Sequence, residues 1–155
     1  MTPAIEVARK AGVLFSVHEY CHDPKSVSFG LEAAENLGVP PETIFKTLVV
    51  QSEKKELAVA IVPVLKTLDL KATASALGAK KAQMADKLLV QRTTGYVLGG
   101  VSPLGQKKPL PTLIDNSAIE HLNIFVSGGR RGLDISISSQ DLAALCQATF
   151  AKISR

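Results

Sequence analysis

The chain has 155 residues, 46% of them apolar and 21% charged, a balance that excludes intrinsic disorder and suits one domain. No run approaches the ~18 consecutive apolar residues of a membrane-spanning helix, and two distant cysteines, Cys21 and Cys146, make neither a disulfide framework nor a zinc pattern. A formal net charge of +4 permits a phosphate-bearing partner without demanding one.

Thr2-Pro3 predicts a helix N-cap followed by a first helical position, and Gly12 a stop. Glu6 and Arg9 interrupt the apolar residues of this segment, so it is no secretory signal, and a reducing cytoplasm is the expected compartment. Val13–Tyr20 alternates as a strand, with Phe15 and Val17 on one face and Ser16, His18 and Tyr20 on the other. Ser28–Leu37 reads as a helix capped by Ser28 and ended by Gly38, after which Pro40-Pro41 forces a turn. Phe45–Gln51 predicts a strand with Glu56–Val62 as its antiparallel neighbour. Asp69–Leu77 is a capped helix before Gly78, and a shorter helix runs from near Asp86 to before Gly95. Thr112–Asp115, Ile124–Ser127 and Leu133–Ile137 read as strands. Ser138 with Asp141 resembles a capping box for a last helix that carries Leu142, Leu145 and Cys146 on one face, which makes Cys146 a core residue. The pattern predicts an α+β fold in one domain over 1–155: a mixed, largely antiparallel sheet, curled or closed toward a barrel, with helices outside.

The chain lacks a GxxxxGK[ST] phosphate loop, a GxGxxG turn, a GxSxG elbow and an HExxH helix, which removes the usual signatures of several enzyme classes. His18, Cys21, His22 and Asp23 are rich in metal-ligand types, but side chains on alternating strand faces diverge, and a polar strand end is the plainer reading. Nothing near Cys21 marks it as a nucleophile.

Lys46 shares a strand face with Leu48 and Val50, where an ammonium is costly to bury. Either it snorkels to water from the strand start, or it is held in a pocket to meet a phosphate or polarise a carbonyl. Gly99-Gly100-Val101-Ser102-Pro103-Leu104-Gly105 is a tight loop or a backbone cradle for a carbonyl oxygen. Ser127-Gly128-Gly129-Arg130-Arg131-Gly132 reads as a hairpin turn with a possible phosphate contact, and Asp134 follows on a strand where it could orient a donor or bind an amine. Lys80-Lys81, Arg92, Lys107-Lys108 and Arg130-Arg131 form a nucleic-acid footprint only if the fold gathers them.

Phe45-Lys46-Thr47-Leu48, the Gly99–Gly105 loop, Leu110-Pro111-Thr112 and Ser127–Asp134, in this order and spacing, resemble the YbaK/EbsC family, free-standing relatives of the editing domain inserted in bacterial prolyl-tRNA synthetases. The likeness runs over nearly the whole chain and is strongest to the branch that clears Cys-tRNA(Pro). It implies cleavage of the mischarged aminoacyl ester in trans, since a pocket sized for proline cannot strongly reject cysteine. It implies Lys46 as the essential residue, with Tyr20, Phe29, Thr47, Gly100, Ser127 and Asp134 around the substrate. A backbone N–H near Gly100 would face the ester carbonyl. The implied partners are prolyl-tRNA synthetase and tRNA(Pro) carrying cysteine, with no DNA, no membrane and no cofactor. It further implies that the substrate's own thiol attacks and leaves as a thiolactone, Lys46 acting as anchor; water attack on Ala-tRNA(Pro), or binding without catalysis, are the alternatives.

Overall fold

A computed structural model describes residues 1–21 and 29–155. Helix α1 (Pro3–Ala11) begins at Thr2, whose hydroxyl accepts from the Ile5 N–H at 3.3 Å, and ends at Gly12 with φ 73°. Proline is tolerated at its start because that N–H has no helical partner. β1 (Phe15–Glu19) is shorter at both ends than the expected strand. α2 (Phe29–Leu37) follows; its expected Ser28 cap lies outside the described residues. β2 (Phe45–Ser52) and β3 (Leu57–Pro63) form the expected antiparallel hairpin. α3 (Leu70–Leu77) and α4 (Lys87–Thr94) are capped by Asp69 and Asp86 and closed by Gly78 and Gly95. β5 (Thr112–Asp115), β6 (Ile124–Arg130), β7 (Leu133–Ile137) and α5 (Ser139–Cys146) follow, α5 capped by Ser138 through the Asp141 N–H. Two three-residue strands, β4 (Ala82–Met84) and β8 (Thr149–Ala151), complete the set.

The strands form two sheets, β1-β7-β6 and β4-β2-β3-β5-β8. Pairing is antiparallel except for β3–β5 and β5–β8, which are parallel. The sheets meet at a bridge between Ile44 and Phe125, so the whole curls without closing into a barrel. One core lies between the sheets, where Phe45, Val49, Val59 and Ile61 face Ile124, Val126, Ile135 and Ile137, with Ala4 and Ala8 of α1 and Leu142 of α5 sealing it. On the opposite face of the larger sheet Val50, Ala58, Ala60, Val62 and Ile153 pack beneath Leu70 and Leu77 of α3. Fully burying one such aliphatic side chain stabilises by about 1.5–3 kcal/mol, so these two layers fix the strands that frame the site. Among the described residues no helix is long and apolar enough to cross a membrane.

Candidate active site

β2 is shared out unevenly along one edge. Its end, Val50–Ser52, pairs with β4, and Ala85 N–H donates to the Val49 carbonyl at 3.0 Å. Just before its start, Ile44 bridges β6. Between these points Lys46, Thr47 and Leu48 pair with β3 alone. Backbone groups in an antiparallel ladder alternate in direction. Because the Val49 carbonyl faces β4, the N–H and C=O of Thr47, two residues earlier, point to the same open edge. A cleft of about 610 Å³ follows that edge and is lined by residues from both faces of β2, Lys46 and Leu48 of one, Phe45 and Thr47 of the other. Its far wall is Ser127 of β6 and Asp134 of β7, which are cross-strand partners, together with Tyr20 at the end of β1.

The polar groups here are poorly satisfied. Burial holds the Lys46 ammonium below its usual lysine pKa, and no carboxylate pairs with it among the described residues. The Thr47 hydroxyl is buried without a hydrogen-bond partner among the described residues. Asp134 is 7% exposed, and burial raises its carboxyl to about 7, with no hydrogen bond to stabilise the anion among the described residues. Tyr20 is pushed up to about 12, first by burial, then by the charges of Asp134 and Glu32. Its backbone N–H donates to the Gly132 carbonyl at 2.9 Å, which fixes it beside the β6–β7 turn. The Ser127 hydroxyl accepts from the Gly129 N–H at 3.1 Å.

The glycine motifs behave differently from expectation. Gly100 does not line the cleft; its neighbours Gly99 and Val101 do. The Gly100 N–H donates to the Val97 carbonyl at 3.0 Å, and a Cβ there would stand 2.7 Å from the Arg130 Cα. Its role is close backbone packing, and it cannot offer that N–H to a substrate. Gly105 packs in the same way on Pro3, and Gly129 on Tyr96 and Thr2. In the Ser127–Gly132 motif the turn itself is Arg131-Gly132, whereas Gly128-Gly129 form an irregularity in register between Ser127 and Arg130. Tyr96 donates to the Leu104 carbonyl at 2.6 Å, the Cys146 thiol donates to the Pro103 carbonyl at 3.3 Å, and the Thr2 hydroxyl donates to the Gly128 carbonyl. Cys146 thus pins the loop from a half-buried place beside the core, where burial pushes its thiol up to about 12. The N–H groups of Gly99 and Val101 donate to no protein acceptor among the described residues.

The structure therefore brings Lys46, Thr47, Ser127, Asp134 and Tyr20 around one cleft. The Phe29 side chain, His22 and Asp23 lie outside the described residues. His18 packs edge-on against Phe125, ring centroids 5.3 Å apart, and shares a 2.7 Å hydrogen bond with the Ser16 hydroxyl. Cys21 is exposed. Arg130 pairs with Glu19 at 3.6 Å on the surface, a contact worth little in water. Sequence reasoning missed Met84 of β4, Ala85 after it, and Lys87 and Val90 of α4, which form another wall. Only the Asp86 cap pointed to that wall.

A profile of the aminoacyl-tRNA editing domain family matches residues 27–145. A protein of Enterococcus faecalis named as a candidate Cys-tRNA(Pro)/Cys-tRNA(Cys) deacylase, EbsC, is 36% identical over 152 residues, covering 98% of this chain and 92% of that protein. A solved structure described as a candidate trans-editing enzyme for prolyl tRNA synthetase is 26% identical with a TM-score of 0.81, covering 100% of this chain and 99% of the other. A second, described as a hypothetical protein, has a TM-score of 0.88 at 24% identity and shares the fold, covering 99% of this chain and 100% of the other.

Proposed function

This chain belongs to the aminoacyl-tRNA editing domain family and is an aminoacyl-tRNA deacylase, and from that premise we propose that its substrate is tRNA(Pro) mischarged with cysteine. The observation that carries the reading is the pair of ionisable groups in the cleft, the Lys46 ammonium on β2 and the Asp134 carboxyl on β7, neither of them paired among the described residues. The aminoacylated end of a tRNA has the complementary polarity, with phosphate on one side of the ester and an α-ammonium on the other. Lys46 anchors the phosphate or ribose of the terminal adenosine. Asp134 receives the α-ammonium, which favours its ionised form over the neutral form that burial favours in the empty cleft. The N–H groups of Gly99 and Val101 donate to the ester carbonyl as negative charge develops on its oxygen.

No lining residue among those described is a cysteine or histidine, and neither the Ser127 nor the Thr47 hydroxyl is bonded to a base. For a cysteinyl ester the nucleophile comes with the substrate. Its thiol sulfur attacks the ester carbonyl, a C–S bond forms, the C–O bond to the ribose breaks, and the thiol proton ends on the ribose oxygen. The product is a thiolactone, which water opens to cysteine. The protein's part is to hold the ester bent for attack. A second reading has its own support, because a carboxyl with a pKa of about 7 can serve as a base for water. In that case alanyl esters are cleaved too.

The test offers purified protein Cys-, Ala-, Ser- and Pro-tRNA(Pro) and follows amino acid release. Loss of the cysteinyl ester, with Ser-tRNA(Pro) cleaved at least about a hundredfold more slowly, is the expected result for thiol attack. Equal rates on Cys- and Ser-tRNA(Pro) would move the mechanism to water. An untouched cysteinyl ester would overturn the substrate assignment. Prolyl-tRNA synthetase is the proposed partner in this clearance, checked by adding the synthetase and measuring whether kcat/KM for Cys-tRNA(Pro) rises.

A further inference from the structure

Some of the basic residues that are scattered in the sequence, Lys87 and Arg92 with Lys107 and Lys108, are brought together on and beside helix α4 by the fold. The stretch 79–109, which holds β4, α4 and the Gly99–Gly105 loop, carries six of the chain's 18 Lys and Arg residues and one of its 14 acidic residues. Its net charge is +5, which leaves the rest of the chain at −1. The single acid, Asp86, is already engaged as the cap of α4, accepting from the Leu88 and Leu89 N–H groups at 3.1 and 3.2 Å. Lys87, in the first turn, lines the cleft, and Arg92 is exposed further along the helix. At the far end of the helix the Lys107 N–H donates to the Thr94 carbonyl at 2.9 Å and the Lys108 N–H to the Thr93 carbonyl at 3.2 Å. Two exposed lysines are thereby stitched to the last turn. None of Lys87, Arg92, Lys107 and Lys108 is held in an ion pair among the described residues. An eight-residue helix is about 12 Å long, enough to follow a few phosphates, with Lys87 and Arg92 on different sides of it because they stand five residues apart.

We propose that this edge, α4 with Lys107 and Lys108, seats the phosphate backbone of the tRNA acceptor stem. The proposal rests on the deacylase reading of the cleft and extends it to the rest of the ligand. An RNA is favoured over an acidic protein surface because Lys87 belongs to both features: a ligand whose end sits in the cleft can run on along α4, and a tRNA does so as a polyanion. The edge has unpaired cations and no aromatic platform, since the one aromatic residue of the stretch, Tyr96, is buried. Such a surface holds phosphates and does not read bases. It therefore supplies affinity common to all tRNAs, and the identity of the tRNA must be selected elsewhere.

The experiment compares two triple variants of equal charge loss. Arg92→Ala/Lys107→Ala/Lys108→Ala removes the edge, and Lys10→Ala/Lys71→Ala/Lys152→Ala removes exposed lysines of α1, α3 and the segment after β8. Binding of uncharged tRNA(Pro) is measured by fluorescence anisotropy over a range of salt, which needs no catalysis. The edge variant is expected to bind about tenfold or more weakly, with its log–log salt slope reduced by about 2–3, while the control stays within about twofold of wild type. Equal losses in the two variants, no loss in the edge variant, or no wild-type binding at about 50 mM salt would overturn the proposal. Aminoacyl-adenosine separates the two readings. The edge variant is expected to cleave it at the wild-type rate while losing kcat/KM on the full tRNA, and an equal loss on both substrates would also count against the edge. If wild type cleaves neither ester the deacylase reading fails, and the anisotropy still decides whether the edge binds RNA.

Discussion

The Gly99–Gly105 loop and the middle of β2 look alike in the sequence, each a short motif suited to meet a ligand, and the fold treats them in opposite ways. In the loop the middle and the end are committed to packing, and the N–H groups of Gly99 and Val101 are left over. Gly100 and Gly105 lie against the backbones of Arg130 and Pro3, and the carbonyls of Pro103 and Leu104 are bound by Cys146 and Tyr96. In the middle of β2 the groups are unspent: among the described residues Lys46 lacks a counter-ion, the Thr47 hydroxyl lacks a partner, and one strand edge is open. Buried polar groups are normally paired, because each unpaired one costs about 1–3 kcal/mol. A stretch that leaves several unpaired is bearing that cost for a ligand, and a loop whose glycines lie against neighbouring backbone and whose carbonyls are tied to the core serves chiefly as scaffold. The contrast separates function from stability residue by residue.

The contrast is broken most directly at Lys46. Lys46→Met is expected to lower single-turnover deacylation by about a hundredfold or more, because it removes a charge aimed at the substrate. Burial lowers the Lys46 pKa, so the folded state binds the proton less well than the unfolded chain. Any linked stability is then gained as pH rises through the folded and unfolded pKa values, and at pH 7 the charge is a cost. The variant should therefore melt no lower than wild type. A drop of several degrees would make Lys46 a structural post. The reverse behaviour is expected of Gly105, whose φ is +69° and whose Cβ would stand 2.6 Å from the Pro3 carbonyl carbon. Gly105→Ala should cost about 3 kcal/mol or more in urea unfolding, from left-handed backbone strain and a backbone clash together. An unchanged urea midpoint would remove the loop's scaffold role.

Asp134 sharpens the comparison through pH. Its carboxyl titrates at about 7 in the folded protein, against an ordinary value of 3.8. Between these values the folded state holds a proton that the unfolded chain has released, so stability falls as pH rises from about 4 to 7 and the penalty is complete above 7. Asp134→Asn escapes it. The variant should gain about 2–4 kcal/mol over wild type between pH 4.5 and pH 8 by urea unfolding, while losing activity on the aminoacyl ester. A stability difference that stays flat with pH would mean that Asp134 is ionised and satisfied in the resting protein.

Much of this architecture is written locally. Thr2-Pro3 and Gly12, Asp69 and Gly78, Asp86 and Gly95, and Ser138 with Asp141 mark the ends of four helices because capping chemistry acts within a turn or two. β4 and β8 are not legible, because three residues cannot display a period and each exists only through its neighbour's ladder. The parallel placement of β5 beside β3 is likewise a tertiary fact. At the site, Lys46, Thr47, Ser127 and Asp134, which the motifs named together, line one cleft, whereas Gly100 packs beside it, since a glycine needed for close packing and one needed for ligand approach leave the same mark. Met84 and Ala85 carry no chemical signal and enter the cleft only because β4 stops there.

The smallest effect, and the cleanest separation of the two regions, is expected at Thr47. Valine copies the shape of threonine while removing its hydroxyl. If that hydroxyl is unpaired in the resting protein, Thr47→Val should raise stability by about 1 kcal/mol, since a buried orphan is replaced by a methyl group at equal volume. If the hydroxyl meets the substrate, the same change should lower kcat/KM by roughly tenfold, one neutral hydrogen bond's worth. A loss in both stability and activity would place the hydroxyl in a structural network. Unchanged activity with raised stability would leave the open edge of β2, its backbone N–H and C=O, as the part of Thr47 that the substrate uses.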